Sequence, residues 1–158
     1  MVGTEIETEV GRSEILLGGT QKKESNSILL LSVRKPYSQL ILLGKKRFEL
    51  RKRPPKTDCR FALIYETHPT QAIVGYFEIG GIYIDSVDKI WGITRGKSYL
   101  SRGEFEEYYK NKKYGVAFMI KKSTKLINPL NLSELGINHA PQDFMYVGDK
   151  DLKGLIRI

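Results

Sequence analysis

The chain is poor in the residues that staple small folds or bind metals: its 158 residues include one cysteine, two histidines and one tryptophan. The single Cys59 forms no internal disulfide, and Cys59, His68 and His139 are too few and too scattered for a zinc site. Cys59 reads instead as a small residue near a strand start. Long apolar runs are missing too. The longest, Ile28 to Val33 and Leu40 to Leu43, fall far short of the roughly 18 residues that a membrane span needs. Glu5, Glu7 and Glu9 stand where a secretory signal would be positive. These absences predict a soluble, cytoplasmic protein with no metal, no cofactor and no membrane partner. They leave the oligomeric state open. A chain of this length forms one domain that buries roughly two thirds of its unfolded surface without staples.

Negative charge is also in short supply, with 18 acidic against 26 basic side chains and a net charge of +8. The deficit is uneven. Residues 1–27 carry Glu5, Glu7, Glu9, Glu14 and Glu24 against Arg12, Lys22 and Lys23, so the excess of positive charge lies entirely in residues 28–158. It is densest from Lys45 to Arg60, where Lys45, Lys46, Arg47, Arg51, Lys52, Arg53, Lys56 and Arg60 face only Glu49 and Asp58. Charges crowded this way repel one another unless a polyanion neutralises them, which predicts a nucleic-acid partner; a solvated basic loop is the plainer alternative.

Residues 1–27 read as an N-terminal tail, flexible or loosely packed. Thr4 to Val10 alternates like a strand, but Gly18, Gly19 and the polar run Thr20 to Ser27 stop it. The domain is expected over residues 28–158. Ile28 to Val33 is a short branched-rich run and predicts a buried strand. Pro36 suits a first helical turn, Tyr37, Leu40 and Ile41 follow at helical spacing, and Gly44 can end the helix in the left-handed conformation. From Arg47 to Arg53 the period becomes two, with Phe48 and Leu50 alternating with Arg47, Glu49 and Arg51. Strands follow over Arg60 to Glu66 and Ala72 to Ile84, the second bent at Gly80 and Gly81.

Beyond these, Val87 to Ile93 predicts a short helix, and Ser101 with Glu104 makes a capping box before Phe105, Tyr108 and Tyr109, whose spacing is that of core packing. Tyr114 to Lys121, Lys125 to Leu130 and Asp143 to Val147 read as further strands, and Ser133 to Gly136 as a single helical turn. The total is a mainly β, α+β fold of six or seven strands with two or three inserted helices.

The segment GKKRFELR, Gly44 to Arg51, fits the spacing GxKxxExR and gathers Lys46, Glu49 and Arg51 where a helix turns into a strand. Together with SVRKPY at Ser32 to Tyr37, IYET at Ile64 to Thr67, IVGYFEI at Ile73 to Ile79, and the late NPLNL and PQDFMYV, it resembles the ASCH domain family of the PUA-like superfamily. The resemblance covers about residues 28–147. It implies a small, partly open β-barrel of about six strands, with a cleft lined by the first helix, the motif and neighbouring strands. It also implies association with RNA, as a binding module or as a hydrolase of RNA or of modified nucleosides. The N4-acetylcytidine amidohydrolases, which resemble this family, use a lysine, a threonine three residues later and a glutamate. Lys46 matches the lysine and Glu78 the glutamate, but Glu49 stands where the threonine would be, and a carboxylate attacking an amide would form an unstable anhydride.

Two readings follow. In the first, a basic cleft binds RNA or a nucleotide through Lys35, Lys45, Lys46, Arg47, Glu49, Arg51, Lys52 and Arg53. Tyr37 and Tyr65 offer stacking surfaces worth roughly 1–3 kcal/mol per base. Tyr76 and Tyr83 lie on neighbouring segments. In the second, Lys46, Glu49 and Glu78 form a catalytic group, with the carboxylates as base and orienting group and Lys46 stabilising negative charge. A ligand-free cluster of cross-strand ion pairs is the structural alternative to both.

Overall fold

The run from Ile28 to Val33 is apolar throughout because both faces of its strand are covered. The computed structural model describes residues 14–16 and 27–158, and in it this segment is β2 (Ser27–Val33), following β1 (Glu14–Leu16). Leu29, Leu31 and Val33 enter one apolar cluster, called the inner one, and Ile28 and Leu30 enter a second, called the outer one, on the opposite face. β2 is parallel to β4 (Phe61–Glu66) and antiparallel to β7 (Phe144–Gly148). The sheet is extended by β5 (Ala72–Ser86), β6 (Tyr114–Leu130) and β3 (Phe48–Arg51) in the order β3-β6-β5-β4-β2-β7, with β1 paired to β5. Among the described residues three α-helices are inserted, α1 (Tyr37–Leu42), α2 (Val87–Thr94) and α3 (Arg102–Tyr108). The architecture is the mainly β one predicted, but the strand order is open, ending in β3 and β7, rather than a closed ring.

Of the expected tail, Glu14–Leu16 pairs with Ile82–Ile84 of β5. The alternation over Thr4 to Val10 and the remainder of residues 1–13 and 17–26 lie outside the described residues. Among the described residues no helix is long and apolar enough to cross a membrane.

One expectation is corrected. Tyr114 to Lys121 and Lys125 to Leu130 are not separate strands but one strand of 17 residues. The 15-residue β5 provides a partner along that whole length, from Ser86↔Tyr114 to Ile73↔Leu130. Register shifts beside Ile79 absorb the bend that Gly80 and Gly81 introduce, so the exposed lysines at 121, 122 and 125 lie on a continuing strand.

The elements around the motif are placed by local chemistry. Gly44 adopts φ +79, which ends α1 and lets the backbone N–H groups of Lys45 and Lys46 reach the Leu40 carbonyl. Phe48 and Leu50 pack with Ile90, Phe105 and Tyr109, fixing β3 against α2 and α3. The opposite face of β3 carries Glu49 and Arg51, with Glu49 paired in register to Phe118 of β6. At the start of α3, Ser101 and Glu104 form the predicted capping box.

Candidate functional site

A cleft of about 920 Å³ opens between the end of β2, the start of α1, β3 and α3. Lys46, Glu49 and Arg51 all line it and are only 3%, 7% and 6% exposed, so the motif's charges lie at its floor rather than on its rim. Each is held by named partners. Lys46 Nζ donates to the Ser98 carbonyl at 2.6 Å, lies 3.5 Å from Glu49 Oε1 and sits 5.1 Å from the centroid of the Tyr37 ring. Arg51 donates from Nε and Nη2 to Glu49 Oε2 at 3.2 and 2.7 Å. Its remaining N–H groups reach the Ser32 carbonyl at 2.9 Å and the Asp143 carbonyl and carboxylate at 3.0 and 2.7 Å. Arg51 thereby ties the end strand β3 to β2 and to the residue preceding β7, across the open side of the sheet.

Burial sets the electrostatics. It pulls the Lys46 ammonium below its usual range, an effect the Glu49 carboxylate only partly offsets. Burial alone would raise the Glu49 carboxyl, but Lys46 and Arg51 together outweigh it and hold it below the usual carboxylate range. For Arg51, burial opposes the charge, yet Glu49 and Asp143 prevail and keep the guanidinium protonated. Tyr108, on the α3 wall, is pushed up to about 12, chiefly by burial, and stays neutral.

Chain segments remote from the motif complete the cleft. Its lining pairs four cations (Arg34, Lys46, Arg51, Lys52) with four carboxylates (Glu49, Glu104, Glu107, Asp143). The basic cleft expected from the sequence is therefore charge-balanced, because α3 and the segment before β7 turn acidic side chains toward it. Lys52 is exposed, 4.6 Å from the Tyr108 ring, and Arg34 lies 5.4 Å from the Tyr37 ring.

Of the other predicted binding residues, Tyr37 lines the cleft. Lys35 and Arg53 are exposed just outside it, Lys35 at 3.7 Å from Glu66 and Arg53 at 3.3 Å from Asp143. Lys45 and Arg47 are exposed and outside the lining; Arg47 precedes β3, where its backbone pairs with Lys97 and Ile120. Two residues lie on the wrong side of their strands. Ile64 points into the inner cluster, so Tyr65 packs in the outer one instead of facing the cleft. Phe77 likewise points inward, which sends Glu78 outward to Arg60 at 3.4 Å and Lys121 at 3.7 Å. Lys46, Glu49 and Glu78 are thus not brought together. Tyr76 joins the outer cluster, and Tyr83 packs against Phe48.

Asp143, Ser98, Arg34 and Tyr108 are site residues that sequence reasoning passed over. Arg34 and Asp143 sit inside SVRKPY and PQDFMYV, so a signal was available for them. Tyr108 has the spacing of a core residue and serves both roles. For Ser98 the contact is through its backbone, which no side-chain pattern reveals.

The family model described as the ASCH domain matches residues 31–124, more than half of the chain. The chain belongs to the ASCH domain family. The match begins inside β2 and ends in β6, and so contains the whole GxKxxExR motif, whereas Asp143 lies beyond it. This ASCH domain superposes on the crystal structure of an ASCH protein from Zymomonas mobilis with a TM-score of 0.74, at 22% identity, covering 81% of this chain and 92% of that one. A protein of the same organism named ASCH domain-containing ribonuclease is 23% identical over 134 residues, covering 82% of this chain and 90% of its own length. The large ribosomal subunit protein uL22 of Ureaplasma parvum serovar 3 is 28% identical over 130 residues, or 81% of this chain and 42% of that protein. The ATP synthase subunit alpha of the same species is 28% identical over 120 residues, 15% of its length. The chain therefore spans about two fifths of the ribosomal-protein relative and a smaller part of the synthase relative. Two proteins with unrelated names share only a domain-sized piece with it.

Proposed function

We propose that this ASCH domain binds RNA by taking a nucleotide of a single strand into the cleft, with Arg34 and Lys52 meeting phosphates at the rim. One observation carries the reading: three mutually paired titratable side chains, Lys46, Glu49 and Arg51, are buried at the floor of an open cleft. Burying paired charges costs desolvation that their attraction often fails to offset in stability, and perturbed groups in a cleft are candidates for functional sites. The volume, about 920 Å³, lies within the range of small-ligand sites. Family membership and the relative named a ribonuclease support RNA as the partner class.

The rim predicts a modest salt dependence. Two to four phosphate contacts, from Arg34 and Lys52 with or without Lys35 and Arg53, give a slope of log affinity against log salt of about −1.4 to −2.8 for a single strand. The double variant Arg34→Ala, Lys52→Ala should flatten that slope by about 1.4. An unchanged slope in the double variant would remove the cleft from the RNA path.

A second reading, RNA cleavage at the same cleft, is favoured by the ribonuclease-named relative and by the depressed ammonium of Lys46. Lys46 and Glu49 would act there without Glu78. The amidohydrolase version loses support with Glu78 on the far side of β5 and no hydroxyl at position 49. RNA that stays intact through prolonged incubation with the purified full chain would eliminate cleavage and leave the binding proposal standing.

A further inference from the structure

Counting donors and acceptors at the cleft floor determines which part of a nucleotide it can take. An arginine has five N–H donors, and all five of Arg51 are engaged: Nε and one Nη2 hydrogen on Glu49, the other Nη2 hydrogen on Ser32, and both Nη1 hydrogens on Asp143. Lys46 has three. One goes to the Ser98 carbonyl and one toward Glu49 Oε1, leaving one on the side of the Tyr37 ring. Glu49 Oε2 accepts twice from Arg51, which fills it, whereas Oε1, among the described residues, meets only Lys46 and keeps a lone pair on a residue that lines the cleft. The unused capacity at the floor is therefore one acceptor, on Glu49, and one donor, on Lys46.

A phosphate needs several donors and little nearby negative charge. This floor offers the opposite, since all five donors of Arg51 are engaged within the protein and the buried Glu49 carboxylate stands beside Lys46. The Watson–Crick edge of a nucleobase offers a neutral N–H beside an acceptor atom, which is what one free acceptor and one free donor can satisfy. We infer that the cleft receives the neutral edge of a nucleobase on Glu49 and Lys46 and keeps the phosphodiester at the rim, with Arg51 a positioning residue that touches no ligand. This rests on the RNA reading proposed above and specifies which end of the nucleotide enters.

The test is competition against a short fluorescent single-stranded RNA bound to the full chain, at constant ionic strength. The competitors are nucleosides, inorganic pyrophosphate, and nucleosides whose Watson–Crick N–H groups are fully methylated. Nucleosides should displace the RNA, pyrophosphate should fail at equal concentration, and full methylation should weaken competition about tenfold or more, as expected for losing a hydrogen bond to a charged group. Displacement by pyrophosphate with nucleosides inert would overturn the inference while leaving RNA binding intact. Failure to bind RNA at all would overturn both.

Arg51→Gln supplies a separate readout, because it removes both the charge and the fork. As a positioning residue, its replacement should weaken nucleoside competition without changing the salt slope for RNA. A slope flattened by about 0.7 would mean that Arg51 contacts a phosphate, contrary to the inference. Should this variant not fold, the competition series on the unaltered chain decides the question alone.

Discussion

At the residue scale the site depends on Glu49, which neutralises two buried cations at once. Its folded-state value lies below the ordinary 4.5, so as pH falls the unfolded chain takes up this proton before the folded one does. The sign follows: the stability it contributes is complete above the ordinary carboxylate range and is lost as pH falls through the folded value. Urea unfolding from about pH 7 down to about pH 3 should show that loss, and Glu49→Gln should be less stable at neutral pH by about 3–5 kcal/mol with a flatter acid limb. An acid limb identical in variant and parent would show that Glu49 is not the group being titrated. The same residue marks how far sequence reaches. Alternation placed Glu49 and Arg51 on one face, and they are hydrogen-bonded there. The partners Ser98 and Asp143, lying 52 residues from Lys46 and 92 from Arg51, depend on tertiary structure that no local spacing encodes.

At the element scale the position of α1 on the sheet decides where Tyr37 and Lys46 come to rest. Gly75 of β5 makes that approach possible, because a Cβ there would lie 2.5 Å from the Thr124 carbonyl oxygen and 2.6 Å from Leu42 Cδ2. The carbonyl belongs to the paired strand and cannot yield cheaply. Gly75→Ala should therefore destabilise the fold by about 1–3 kcal/mol, measured as a lower denaturation midpoint. A variant as stable as the parent would contradict the close packing of α1. Element identity was largely legible from the sequence: Gly44 ends α1 at positive φ, the Ser101–Glu104 box starts α3, and glycine marks the irregular stretch of β5. Side-chain direction was less so. Val74, Tyr76 and Glu78 alternate equally well with either face inward, and only the packing of Phe77 in the inner cluster decides that Glu78 points away. The join of two expected strands into β6 has a similar origin, since a polar run breaks a strand only where no partner continues beside it.

At the scale of the whole molecule, net charge and local charge disagree. The chain carries +8, but the cleft lining is balanced, because the basic window disperses its side chains over the surface while Glu104, Glu107 and Asp143 arrive from elsewhere. A sequence window records which charges are neighbours along the chain and not which ones share a cavity. The proposed function places RNA in this balanced cleft and not on the more basic outer surface. Backbone and side-chain NMR shifts of the full chain titrated with a short single-stranded RNA test it most directly. The largest changes are expected at Arg34, Tyr37, Lys46, Lys52 and Tyr108, with Lys121, Lys122 and Lys125 unmoved. Shifts confined to those three lysines on β6, with the cleft residues silent, would contradict it.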